Sequence, residues 1–168
     1  MPIYKTFNAP MQTTAAIAAV TTGTAIKTML QIATPATRTI TLLSWGYTLS
    51  IAPGAASTVE LMQSDVAATV TAHVAAGVQP QDASETASLV TLGTSATGYT
   101  ATVEGSTTAV RTFDTTIVPL ASGATDLTYS RIFTPAERPK IPVSKFVRVR
   151  ISVSVSAANM LCWVTWSE

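Results

Sequence analysis

Between Val143 and Val155 the chain alternates with a period of two. Val147, Val149, Ile151, Val153 and Val155 share one parity; Phe146, Arg148, Arg150, Ser152 and Ser154 share the other. That repeat is the signature of a strand with one buried face. Ser156-Ala157-Ala158-Asn159 reads as a turn, and Met160 to Trp166 as a returning strand, so the two are expected to form a hairpin. Trp163 and Trp166 then fall on opposite faces, one for the core and one for contact.

Similar runs recur upstream. Ala25 to Ala33, Arg38 to Ser50, Ser57 to Met62 and Leu127 to Phe133 each read as a strand bounded by Pro, Gly or Ser turns. Gly46 is expected to mark a bulge or bend. Tyr99 to Glu104 and Ala109 to Phe113 look like a hairpin joined through Gly105 to Thr108. Asp65 to Ala76 fits either period; its reading leans to a strand over a helix. Ala83 to Leu89 has the look of a short helical turn. About eight short strands at this spacing predict an all-β protein, an antiparallel β-sandwich of jelly-roll type. Residues 1–24 are read as an N-terminal arm or first strand, and 25–168 as a single sandwich domain.

Enzymes gather titratable groups where they do chemistry, and this chain has few to gather. Its 168 residues hold one His and one Cys, and 11% are charged, while 47% are hydrophobic. A lone Cys162 excludes an internal disulfide, and between its bulky neighbours it reads as a small buried hydrophobe. His73 has no nucleophile pattern beside it and is expected on the polar side of a strand. The acidic residues, from Glu60 to Asp126, are too scattered for a recognisable metal motif. Gly93 to Thr100 has P-loop glycine spacing, but Tyr99 stands where the lysine belongs, so a plain loop is expected. No enzyme activity, cofactor or metal is predicted. The start lacks a secretory signal, and no run is long enough to span a membrane as a helix.

Charge is unevenly distributed. From Glu60 to Asp126 every charge is negative except Arg111. From Arg131 to Arg150 all are positive except Glu137. The two groups either cancel inside one fold or meet between subunits; nucleic acid is a weaker third reading, because aromatics are scarcely interleaved with the basic residues. The formal net charge of +1 exerts no general pull on nucleic acid or membrane. A surface so poor in charge invites coverage by other protein. Met1 to Pro10, with Tyr4 and Phe7 between two prolines, is either an arm reaching a neighbour or a frayed end.

Two stretches carry a family likeness. Val59-Glu60-Leu61-Met62-Gln63-Ser64-Asp65-Val66 runs on to Val74. Lys145-Phe146-Val147-Arg148-Val149-Arg150 is followed by Asn159 to Trp166. In these runs the chain resembles capsid decoration (cement) proteins of tailed phages and prophages of actinobacteria. The resemblance implies a β-sandwich, trimeric, made in the host cytoplasm and bound outside the head to the major capsid protein. Expected subunit or capsid contacts are Tyr4, Phe7, Arg138, Lys140, Lys145, Arg148, Arg150 and Trp166. The alternative is a tail or baseplate module that binds a carbohydrate or receptor. It requires two of Trp45, Trp163 and Trp166 exposed in one groove.

Overall fold

The computed structural model describes residues 1–10, 16–119, 127–153 and 156–168. Its strands are, in order, β1 (Ile3–Phe7), β2 (Val20–Thr21), β3 (Ile26–Ala33), β4 (Ile40–Leu49), β5 (Ser57–Ser64), β6 (Thr69–Ala72) and β7 (Val78–Pro80). They continue with β8 (Gly98–Val103), β9 (Arg111–Val118), β10 (Thr128–Ile132), β11 (Lys140–Ile141), β12 (Phe146–Ser152) and β13 (Asn159–Ser167). Among the described residues there is no α-helix, only a 3-10 turn at Ala75–Gly77.

Two antiparallel sheets face each other. The first runs β10-β4-β13-β1-β7 and the second β6-β8-β3-β12-β5-β9. Eight of these strands, taken in chain order as β1, β3, β4, β5, β9, β10, β12 and β13, follow the jelly-roll order. The first sheet carries the first, eighth, third and sixth of them, and the second carries the second, seventh, fourth and fifth. The all-β, jelly-roll-like sandwich expected from the sequence is the fold found. Its core is continuous between the sheets, with Trp45, Trp166, Met29, Ile32, Leu42, Leu61, Val149 and Ile151 all fully buried.

That order corrects both expected hairpins. β12 and β13 are consecutive but lie in opposite sheets, β12 between β3 and β5, β13 between β4 and β1. β8 and β9 lie in one sheet near opposite ends, separated by β3, β12 and β5. The chain between them crosses the outer face of β12, held there by Arg148, which donates to the carbonyls of Glu104 (3.2 Å) and Ser106 (3.0 Å). Ser154, Val155 and Asp126 lie outside the described residues.

The ambiguous stretch resolves into strand β6 followed by the 3-10 turn. The predicted turn at Ala83 to Leu89 shrinks to one hydrogen-bonded turn, Glu85 N–H to the Asp82 carbonyl at 3.1 Å. Gly46 is no bulge; the register shift of β4 falls between its pairings with Thr165 and Trp166. Gly46 sits opposite Trp163, and a Cβ there would run into the indole ring and the Tyr129 carbonyl. Glycine lets the ring lie on the sheet.

Of the two readings of the start of the chain, arm or first strand, residues 3–7 take the second, and they are not frayed. β1 is an interior strand, paired with β13 from Ile3↔Ser167 to Phe7↔Trp163 and with β7 on its other side. Tyr4 and Thr6 point into the sandwich and Lys5 and Phe7 out of it.

Candidate functional site

Arg148 is the largest buried charge. Its side chain is wholly covered although its parity places it on the outer face of the second sheet. The cover is the loop after β5 and the crossing segment after β8. Arg148 Nε donates to Gln31 Oε1 at 3.0 Å, and its terminal nitrogens donate to the carbonyls of Val66, Glu104 and Ser106. Gln31 completes the net, donating to the Ala68 and Ala96 carbonyls and accepting from the Ala68 amide. Burial presses the guanidinium pKa down, and Glu104, 3.7 Å away, opposes that. A forked, permanently charged donor suits three loop carbonyls at once; Val66 and Glu104 also accept from the Ser64 hydroxyl and the Ser106 amide.

Arg150, one step along, donates twice to Glu60 Oε2, at 3.0 and 2.6 Å. Lys145 pairs with Asp65 at 2.9 Å and Arg131 with Asp114 at 3.1 Å. Each ion pair among the described residues therefore joins the acidic stretch to the basic one within this chain. The sequence left that question open, and cancellation inside the fold is the answer for these pairs.

Asp114 plugs the sandwich where the ends of the two sheets meet. Its Oδ2 accepts from Trp45 Nε1 at 3.0 Å and from the Tyr129 hydroxyl at 2.8 Å. Burial and the neighbouring carboxylate push the Tyr129 phenol up to about 12. Beside the plug is a cleft of about 380 Å³ lined by Tyr47, Thr116, Ile117, Val118, Pro119, Leu127, Thr128 and Tyr129. Tyr47 and Tyr129 stack there at 5.6 Å, and the Tyr47 hydroxyl is bonded to Thr116 at 2.7 Å. Both phenols are therefore occupied, and the cleft offers polar and apolar surface in similar measure.

His73 is buried, not on a polar strand face as expected. Nε2 lies 2.8 Å from the Phe7 carbonyl and 3.2 Å from Thr6 Oγ1, so the ring carries its proton on Nε2. Nδ1 faces Gly77 with no hydrogen-bond partner. Burial lowers the imidazole pKa from 6.5, and the Phe7 bond only partly opposes this. The unfolded chain thus takes up this proton at a higher pH than the folded one. Stability contributed by the neutral ring is complete above pH 6.5 and drains as pH falls below it, down to the lowered pKa of the folded state. His73 is the only histidine, so urea titrations between pH 6.5 and 5 should show this decline in the parent and lose it in His73→Asn. A flat parent profile would rule the assignment out.

The residues expected to make contacts are scattered. Tyr4, Arg148 and Trp166 are interior, and Arg150 is 9% exposed; these four are corrected to structural roles. Phe7 lies half-exposed on the outer face of the first sheet. Lys140 is exposed on β11, Arg138 partly covered just before it, and Lys145 tied to Asp65 at the entry to β12. They do not form one site.

Phe7, one of the expected contacts, belongs to a small outward face that the sequence reading did not assemble. Its cross-strand neighbour is Trp163, and Lys5 Nζ sits 4.8 Å from the Phe7 ring centre and 5.4 Å from the indole. The parity of Asn159 and Thr165 signals the outward face of β13, and Trp163 shares it. Trp163 is thus the one tryptophan on a face; Trp45 and Trp166 are in the core. Among the described residues no group of His, Cys, Asp or Glu is placed to hold a metal ion.

Comparison with protein-family models, with curated proteins and with solved structures gives no match. Function is therefore read from this chain's own residues.

Proposed function

We propose that the chain is a structural protein of a tailed-phage particle that binds the outside of the capsid and stabilises it. The observation that carries this reading is where the ionisable groups go. Arg148, Arg150, Asp114 and His73 are all spent on holding loops, sheets and chain ends together. What remains outside is Thr-rich, poorly charged sheet with isolated aliphatics and the Lys5-Phe7-Trp163 face. Such a surface suits many weak contacts with a protein lattice better than it suits turnover. The jelly-roll order agrees, since that architecture recurs in viral capsid domains. Architecture alone does not assign function. The carbohydrate-binding alternative lacks its required pair of exposed tryptophans.

The partner on this reading is the major capsid protein. The test is co-sedimentation of the purified chain with mature heads of its phage that lack it. Saturable uptake on the order of hundreds of copies per head is expected, because identical sites repeat across an icosahedral lattice. Uptake of a few copies would move the protein to a portal or tail position, and none would sink the capsid reading.

A further inference from the structure

A sandwich has four edges, and three of them here are blunted. β7 is three residues long and ends in Pro80. β6 is four residues with two register shifts against β8. β10 is five residues and turns Arg131 inward to Asp114. These are the usual devices that stop strand edges from pairing with other chains.

β9 is different. It is eight residues long, contains no proline, and pairs only with β5 among the described residues. Its one irregularity, a register shift between Leu61 and Met62, leaves Phe113 as the extra residue. From Asp114 to Val118 the strand is regular, and its outward side chains are the uncharged Thr115 and Ile117, the latter 74% exposed. The Thr115 amide turns away from β5 and donates to Asp114 Oδ1 at 3.0 Å. Ladder bonds alternate sides along a strand, so the Ile117 amide points the same way, into open space.

We propose that this edge is a homodimer contact, in which β9 pairs antiparallel with β9 of a second copy about a two-fold axis through Thr116. In this register Thr115 of one protomer faces Ile117 of its partner, and the reverse. Both are outer-row residues: each Ile117 N–H can donate to the partner's Thr115 carbonyl, and each Thr115 N–H reaches the partner's Ile117 carbonyl by giving up its bond to Asp114 Oδ1. A register one step toward Phe113 would run into the extra residue, which selects the axis at Thr116. No charged residue faces a like charge at the seam, and the sheets join into one continuous surface. The occupant is a second copy because a two-fold needs the same patch on both sides, and this patch is self-complementary. The cleft lined by Thr116, Ile117 and Val118 lies on the same edge, so pairing also covers part of its rim. A two-fold contact closes at two copies, whereas the family resemblance implies three.

Sedimentation equilibrium of the full chain up to ~100 μM tests this without heads. The parent is expected at the dimer mass. Ile117→Lys adds a charge to the seam, and Ile117→Pro removes an outer-row donor without touching the β5 ladder. Each should weaken the dimer at least roughly tenfold while leaving the thermal midpoint of the monomer in place. Ile132→Lys, at an equally exposed position on β10, should leave the dimer intact. A monomeric or trimeric parent, or a dimer indifferent to both Ile117 changes, overturns the contact. Head binding is a separate measurement and can fail or succeed independently of it.

Discussion

Arg148→Ala should be among the most damaging single changes in the molecule, costing about 3–5 kcal/mol, because removing one partner leaves buried polar groups uncompensated. The carbonyls of Val66, Glu104 and Ser106 would all lose a charged donor, and Gln31 and the cavity left by the side chain lie beneath them. Gln31 would lose its charged neighbour as well. The damage should be local in origin: the loop after β5 and the segment that crosses β12 come loose first. Denaturant unfolding gives the magnitude, and amide exchange at residues 64–68 and 104–110 gives the location. Arg150→Ala is the control. Its Glu60 partner is partly solvated, so the loss should be clearly smaller. Equal losses for the two would show that the buried net is not the cause.

Trp45→Ala should cost a similar amount, about 3–5 kcal/mol, through the cavity left by a wholly buried indole. Trp45→Phe separates the two things this side chain does. It keeps most of the packing against Tyr47 and Tyr129 and removes the hydrogen bond to Asp114 together with a small part of the ring volume. Asp114 retains Tyr129 and Arg131, so a loss near 1 kcal/mol is expected. If Phe proved as costly as Ala, the Asp114 bond and not the ring's volume would be what holds that end of the sandwich together. Thermal midpoints report both, at roughly 2–4 °C per kcal/mol for a domain of this size.

The strands were legible in the sequence because period-two alternation is a local property. Ile26–Ala33, Ile40–Leu49, Ser57–Ser64 and Phe146–Ser152 all fall where alternating side chains placed them. Strand partners were not legible, since pairing is decided far along the chain. Short turns between neighbours suggested hairpins, yet the jelly-roll order sends β12 and β13 to different sheets. The alternation of β12 also misled about exposure. Arg148 and Arg150 looked like a solvated face until a loop from elsewhere in the chain was seen to cover them.

Parity explains the rest of the candidate surface. In β1, Lys5 marks the outward row that Phe7 shares, which puts Tyr4 inside. In β13, Thr165 and Asn159 mark the outward row of Trp163, and Trp166 goes in with Cys162 and Val164. Both signals were present, but each rests on only one or two polar residues in its strand. The charge asymmetry was plain in the sequence, and its meaning needed the register, which sets Arg150 opposite Glu60.

The pairing of β1 with β13 also has a consequence for synthesis. Once Lys5 has left the ribosome, its cross-strand neighbour Thr165 follows 160 residues later. Until then one side of β1 has no ladder, and the first sheet lacks the strand that joins β4 to β1. The sandwich therefore closes only once β13 has been made, as chains dominated by distant pairings do. A nascent copy stalled short of β13 is an open half-sheet, exposed to whatever strands its neighbours offer.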